Sequence, residues 1–397
     1  MKKALAALLL LVWFIPAAAY AEFTVGGTNG WTLSTDGMVN LFAINTSGDD
    51  RPTNVNNGIT LADGEDSFRI RSGFLPGILG FNINAPEIDG LIMKARVGFY
   101  PNPQNANTKN SFSTQIDLRE VFFTVDGSFG QVLIGKTLSL FQGQNALTGM
   151  TLMGTGINAA AAGGTTLGNI GYGYIYPQYN AQMRYTTPTR SGLKGAIGLY
   201  DPSIIRGDSG VEATTTKSPR VEAEVDWQGQ LGDVTLHTWV SGLYQEAEFE
   251  TTGDTVTAEG VAAGVQVGYL DFDLVLSGFE GSGLGSTLML DTDSLDPTGE
   301  ERDSQGGIAQ LCYTWQSTKF GVAYGANTID ETSYEKSVRQ GGGVAELEAQ
   351  RMLTFGVYHD INPHLKLVAE YSQAENEWFD GQDQSVDIVS LGTFFLW

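Results

Sequence analysis

The feature that most constrains this chain is an alternation of apolar residues with small or polar ones at period two. It recurs along most of the length, and past residue 21 there is no long uncharged apolar run. Leu91, Met93, Ala95, Val97 and Phe99 share one face while Lys94, Arg96 and Gly98 take the other. Val261, Ala263, Val265, Val267 and Tyr269 alternate with Ala262, Gly264, Gln266 and Gly268. The same holds for Phe272, Leu274 and Leu276, for Ala309 to Trp315, for Phe320 to Tyr324 and for Leu365 to Tyr371. Period two is the mark of a strand with two unlike faces. A membrane helix needs about 18 or more consecutive apolar residues, so none is expected here. Hydrocarbon leaves no partner for an open strand edge, which restricts membrane strands to closed barrels. The second face carries much of the 51 Gly, and only 17% of residues are charged. A sandwich turning one face to bulk water rarely needs so much glycine, whereas a wet lumen lined by small residues accepts it. The expected fold is therefore all-β, a transmembrane antiparallel β-barrel.

One Cys rules out a disulfide scaffold. A formal charge of −23 argues against a nucleic-acid partner, because nothing offsets repulsion from phosphate. Met1-Lys2-Lys3, the apolar run from Ala4 to Pro16 and the small-x-small triplet Ala19-Tyr20-Ala21 read as a secretory signal cleaved after Ala21. The expected organisation is a signal segment 1–21 followed by one barrel domain 22–397. Short turns (Asp126-Gly127, 228–232, Asp271, 316–318, Asn362-Pro363) alternate with long polar connectors (101–112, 202–218, 247–258, 281–304, 327–349, 376–384). Short turns on one side and long loops on the other are the pattern of an outer-membrane barrel. Sixteen strand segments can be placed, among them 31–44, 67–83, 114–125, 233–246 and 385–397, and eighteen if 139–178 hides two more. Segments 114–125 and 233–246 have poor phase, both faces mixing apolar and polar residues. Tyr269, Tyr313, Trp315, Tyr324 and Tyr358 sit at strand ends, where an interfacial aromatic girdle is expected.

Val389, Leu391, Thr393, Phe395 and Trp397 share a face, so the chain ends on an amphipathic strand with a terminal aromatic, like the signal read by outer-membrane assembly machinery. Arg119-Glu-Val-Phe-Phe, Phe129-Gly-Gln-Val-Leu-Ile-Gly-Lys136, Arg184-Tyr-Thr-Thr-Pro188 and Gly192-Leu-Lys-Gly-Ala-Ile-Gly-Leu-Tyr200-Asp201 follow in order. Together they resemble the Gram-negative trimeric porin family across 22–397. That resemblance implies a 16-stranded barrel, a homotrimer, a third loop (139–178) folded into the pore as a constriction, and passive diffusion of small hydrophilic solutes and ions. Three departures stand out. Lys136 replaces the usual Arg, the last residue is Trp rather than Phe, and 139–178 holds nine Gly but no charged residue.

A pore works by shape and field. Parity turns Arg69, Arg71, Lys94 and Arg96 inward, and Arg119, Lys136 and Arg184 flank the constriction segment. Fourteen of the twenty Lys and Arg after residue 21 lie at or before Arg220. This predicts a cationic wall opposite a neutral, tyrosine-bearing loop and an anion-leaning eyelet; ion pairs with Asp117, Glu120 or Asp66 are the competing role for these cations. Tyr172, Tyr174 and Tyr176 would either pack the loop or stack sugar-like solutes. Carboxylates crowd the late loops, from Asp291 to Asp303, Asp330 to Glu335 and Glu375 to Asp383, and could share divalent cations with lipopolysaccharide; a solvated loop surface is the plainer role. No dedicated metal site, catalytic constellation or cofactor motif is expected: His237, His359 and His364 form no zinc-like pair. The alternatives to a general pore are a channel selective for sugars or organic anions, a non-conducting adhesin or receptor barrel, and a barrel enzyme.

Overall fold

In the computed structural model, residues 22–56, 66–104, 117–158, 164–207 and 210–397 are described. The expected signal segment and the Ala159–Ala162 run lie outside them. Twenty strands occur in the order β1 (Phe23–Thr28), β2 (Trp31–Gly48), β3 (Ser67–Arg71), β4 (Ile78–Asn84), β5 (Ile92–Tyr100), β6 (Asp117–Gly127), β7 (Gly130–Leu138), β8 (Tyr179–Thr186), β9 (Leu193–Tyr200), β10 (Ile205–Arg206), β11 (Glu212–Ala213), β12 (Arg220–Leu231), β13 (Val234–Glu248), β14 (Thr255–Tyr269), β15 (Phe272–Ser282), β16 (Asp303–Trp315), β17 (Thr318–Ile329), β18 (Leu347–Asn362), β19 (Leu365–Trp378) and β20 (Asp383–Leu396). Among the described residues the helical elements are α1 (Gly143–Leu147), a 3-10 turn at Met150–Met153 and α2 (Ser333–Gln340).

Eighteen of these strands form one antiparallel sheet that closes where β20 pairs with β2. Sixteen strand positions surround the barrel. The two extra strands do not come from 139–178. β3 and β4 are two halves of the expected segment 67–83, pairing successively with one edge of β2. β1, which the sequence reading did not place, pairs with β2 from Phe23↔Thr35 to Thr28↔Trp31, beside the end of β20.

The alternation sorts as lipid requires. Val389, Leu391 and Phe395 are 54%, 65% and 53% exposed, while Ile388, Ser390 and Phe394 between them are buried. No described helix is long and apolar enough to cross a membrane; the crossing is made by strands.

Both strands of poor phase have local causes. Gly98 pairs with Glu120 and Phe99 with Leu118, so Arg119 is the extra residue of a β-bulge, and parity shifts there. In β13 the inward residues Trp239 and Leu243 are buried against chain that fills the lumen. Tyr358 departs from the girdle expectation, being fully buried on the inner face.

The walls are unequal. β3 to β9 have 5 to 11 residues, whereas β12 to β20 have 11 to 16. The chain between β7 and β8 packs inside the lumen, as expected of 139–178.

Candidate permeation path

The loop 139–178 has no charge of its own, yet many of its amide N–H groups lie away from water, where an unpaired one costs about 1–3 kcal/mol. The long-stranded wall supplies the acceptors. Glu222 on β12 accepts from the amides of Leu140 (2.8 Å) and Phe141 (2.9 Å). Gln310 on β16 accepts from Met150 N (2.5 Å), and Asn327 on β17 from Gly173 N (2.9 Å). Glu370 on β19 accepts from the amides of Thr155 (2.6 Å) and Gly156 (3.0 Å), from Thr155 Oγ1 (2.9 Å) and from the Tyr358 hydroxyl (2.5 Å). Trp239 Nε1 donates to Asn145 (2.7 Å). Bonds to a buried carboxylate are about twice as strong as neutral ones. Glu222 is balanced by Arg220 at 3.0 Å, both side chains fully buried.

Close approach dictates two glycines. A Cβ on Gly154 would overlap the Glu370 carboxylate, and one on Gly325 would strike the Tyr172 carbonyl. Apolar contacts complete the seal. Met150, Ile157 and Tyr172 join Phe42, Ile308, Met352 and Phe394 in one cluster. Phe141 and Ile175 join Leu243, Phe279 and the outer-loop residues Leu284 and Met289 in another.

On the short-stranded side the loop stands off the wall. An upper cavity of about 520 Å³ lies there, lined by Phe74, Leu75, Asn102, Asp117, Arg119, Leu138, Leu147, Leu152, Leu167, Ile170, Tyr176 and Leu288 among others. Phe74 and Leu75 reach it because the wall breaks between β3 and β4, where Asn40 accepts from Gly73 N (2.8 Å) and donates to Leu75 O (2.9 Å). A lower cavity of about 290 Å³ is lined by Gln131, Leu138, Gln144, Leu147, Arg184, Thr186, Lys194 and Glu224 among others. Leu138 and Leu147 line both, so the two cavities adjoin at these leucines.

The expected site residues divide. Arg69 and Arg71 face inward beside Ile44, but Arg71 is buried under the loop, donating to Asn158 Oδ1 (3.1 Å), Thr165 O (2.8 Å) and Gly164 O. Arg96 is the hub of a wall network, with Asp36 and Glu120 each at 2.6 Å and Asn82 at 2.9 Å. Arg119 pairs with Asp117 (2.7 Å) and lies over Tyr100 and Tyr179 at 5.5 and 5.7 Å. Lys94 is exposed near the short-turn end, and Arg184 lines the lower cavity. Lys136 is a correction. It pairs with Val121 and Ala181, both outward-facing, so it points away from the lumen; the neighbouring inward residue is Thr137. Tyr172 is buried, its hydroxyl donating to Asn376 (2.9 Å), and Tyr174 is buried too, with burial raising its phenol above the ordinary value; both pack the loop, and only Tyr176 reaches the upper cavity. Trp397 exchanges backbone bonds with Gly37 (2.9 and 3.0 Å) at the barrel seam.

Sequence reasoning missed Glu222, Gln310, Asn327, Glu370, Leu138 and Leu147. The available signal was an uncharged loop that must find its partners on inward strand positions.

The late acidic loops are largely self-satisfied. Asp296 accepts from Thr298 N (2.7 Å), Glu300 N (3.0 Å) and Thr332 Oγ1 (2.8 Å), Glu331 pairs with Arg339 (2.7 Å), and Glu377 with Arg351 (2.5 Å). No group of three metal-ligating side chains occurs among the described residues.

A sequence profile described as Gram-negative porin matches residues 4–378. No curated protein sequence matches. Among solved structures, the outer membrane channel DcaP of Acinetobacter baumannii superposes with a TM-score of 0.72 at 16% identity, covering 94% of this chain and 100% of that one. An anion-selective porin from Comamonas acidovorans gives 0.62 at 12% identity, covering 92% and 100%. OprB of Pseudomonas putida gives 0.56 at 9% identity, covering 91% and 94%.

Proposed function

The chain belongs to the Gram-negative porin family and is an outer-membrane diffusion channel, not an enzyme; on that premise we propose that solutes cross it through the two cavities beside β5–β9. The carrying observation is that Leu138 and Leu147 line both cavities, so the two volumes adjoin beside the loop, which supports one route past it. The test uses single cysteines at Leu167 (upper) and Ala196 (lower) in a Cys312→Ser background, treated with a charged thiosulfonate in planar bilayers. Conductance should fall on modification of either. Unchanged current at both would overturn the route.

A weak ion preference fits this path, because its cations come with carboxylates: Arg119 with Asp117, and Lys194 with Asp226 at 3.6 Å. Any anion lean of this path rests on Arg184 in the lower cavity. A homotrimer is supported by the short wall. A tilted strand needs about 9–11 residues to cross the hydrocarbon; β8 and β9 have 8 each, and the one strand position shared by β3 and β4 is broken into runs of 5 and 7. Their outward Phe68 and Ile70, at 63% and 55% exposed, suit a neighbouring subunit. Segment 1–21 would be the cleaved export signal, and the outer-membrane lipid and lipopolysaccharide would cover the long wall.

A further inference from the structure

The two cavities differ in chemistry, and the difference selects a solute. The upper one is walled mainly by Leu152, Leu167, Ile170, Leu288 and Phe74, and among the described residues its charged lining is Asp117 and Arg119, which pair with each other. Arg119 is largely covered by the tyrosines it lies over, whereas Asp117 is half exposed. Below Leu138 and Leu147, the lower cavity presents both signs again, Arg184 and Lys194 with Glu224, alongside the amide of Gln144. A hydrated inorganic ion has nothing to exchange its water for beside these leucines, and apolar constrictions resist ions by dewetting. A solute with an apolar side group keeps favourable contact there, and one carrying both charges finds a partner for each on either side. We infer that this path favours small amphipathic zwitterions, molecules with an apolar side group and paired opposite charges, and that Leu147 is the residue that sets this preference. The inference rests on the route proposed above. A cavity of about 520 Å³ suits one molecule of this size at a time, within the range usual for ligand pockets of about 300–1,000 Å³.

The test is single-channel recording in KCl with L-phenylalanine or L-serine, which carry the same charges and differ in the side group. Steps in KCl alone establish the channel. Phenylalanine should interrupt the wild-type current, with serine interrupting it at least about tenfold less often; Leu147→Ala should raise KCl conductance about twofold and shorten the phenylalanine events. Leu147→Ile should restore the wild-type pattern. Asp117→Asn, at a half-exposed side chain, should lower the rate of phenylalanine events, because it removes the carboxylate that meets the ammonium group. Equal behaviour of the two amino acids, or an unaltered conductance in a folded Leu147→Ala channel, would overturn the inference. An absence of any current step in wild-type protein would refute the channel itself.

Discussion

The long-stranded wall (β12–β20) and the short-stranded wall (β3–β9) treat the same loop in opposite ways. The long wall holds it with buried glutamates, amides and apolar contacts, from Glu222 at one end to Glu370 near the other. The short wall meets it at fewer points, through Arg71, Asn180, Tyr200 and the backbone of Gly73 and Phe74, and leaves open volume between them. An eyelet can therefore be made without a charged loop, provided one wall supplies the acceptors and the other stands off. Rigidity and permeability are assigned to different sides of one barrel.

Glu370→Ala should break this contrast most severely. It strands the Thr155 and Gly156 amides and the Tyr358 hydroxyl, while Thr155 Oγ1 keeps Ser390 Oγ at 2.7 Å; with about 1–3 kcal/mol per orphaned buried group the cost should exceed about 3 kcal/mol. The expected outcome is a marked fall in unfolding temperature by calorimetry in detergent, with noisy, enlarged single-channel conductance. Gly154→Ala tests the same anchor by steric overlap and should cost about 1–3 kcal/mol; a fully stable variant would show that the loop is not pressed onto Glu370.

Smaller effects sharpen the comparison on the open side. Arg96→Gln leaves Asp36 and Glu120 unneutralised, so the permeability ratio should move toward cations by about twofold in reversal-potential measurements. An unchanged ratio would mean that this network does not reach the field of the path. In the outer loops, burial pushes the Asp296 carboxyl up, but hydrogen bonds from Thr298, Thr332 and Glu300 outweigh it and hold the pKa below its ordinary value. The stabilisation from such a group is fully present above the unfolded carboxylate pKa of about 3.9 and is lost as pH falls through the folded value. Protease sensitivity of 283–302 should therefore rise only at strongly acid pH, and Asp296→Asn should abolish that step. Lys136→Gln should have the smallest effect, leaving selectivity unchanged, since the side chain points outward; a changed reversal potential would contradict that register.

The barrel was legible because lipid on one side enforces alternation along each strand, and faces such as Val261 to Tyr269 need no tertiary information. The bulge at Arg119 was not, because one extra residue leaves composition untouched and only shifts parity. The loop anchors stayed hidden for a related reason. Glu222 and Glu370 occupy ordinary inward positions, and their role appears only when the chain brings an uncharged loop to them from 81 or more positions away. At Arg96 the ion-pair role holds, because Asp36 and Glu120 on neighbouring strands are brought alongside by pairing rather than by sequence.

The seam has a consequence for how the molecule is made. One edge of β2 receives β20 along Met38–Gly48 and then β1 along Trp31–Thr35, with Gly37 and Trp397 bonded at the junction. The register joins residues whose separation in the chain is almost its full length, so this ladder is the pairing of highest contact order and has to form late. Until it does, the nascent cylinder carries an open row of amides and carbonyls that acyl chains cannot satisfy. Insertion and closure must then be a single concerted event, and any change that weakens Val386–Leu396 should show first as material stalled before the membrane rather than as a leaky finished channel.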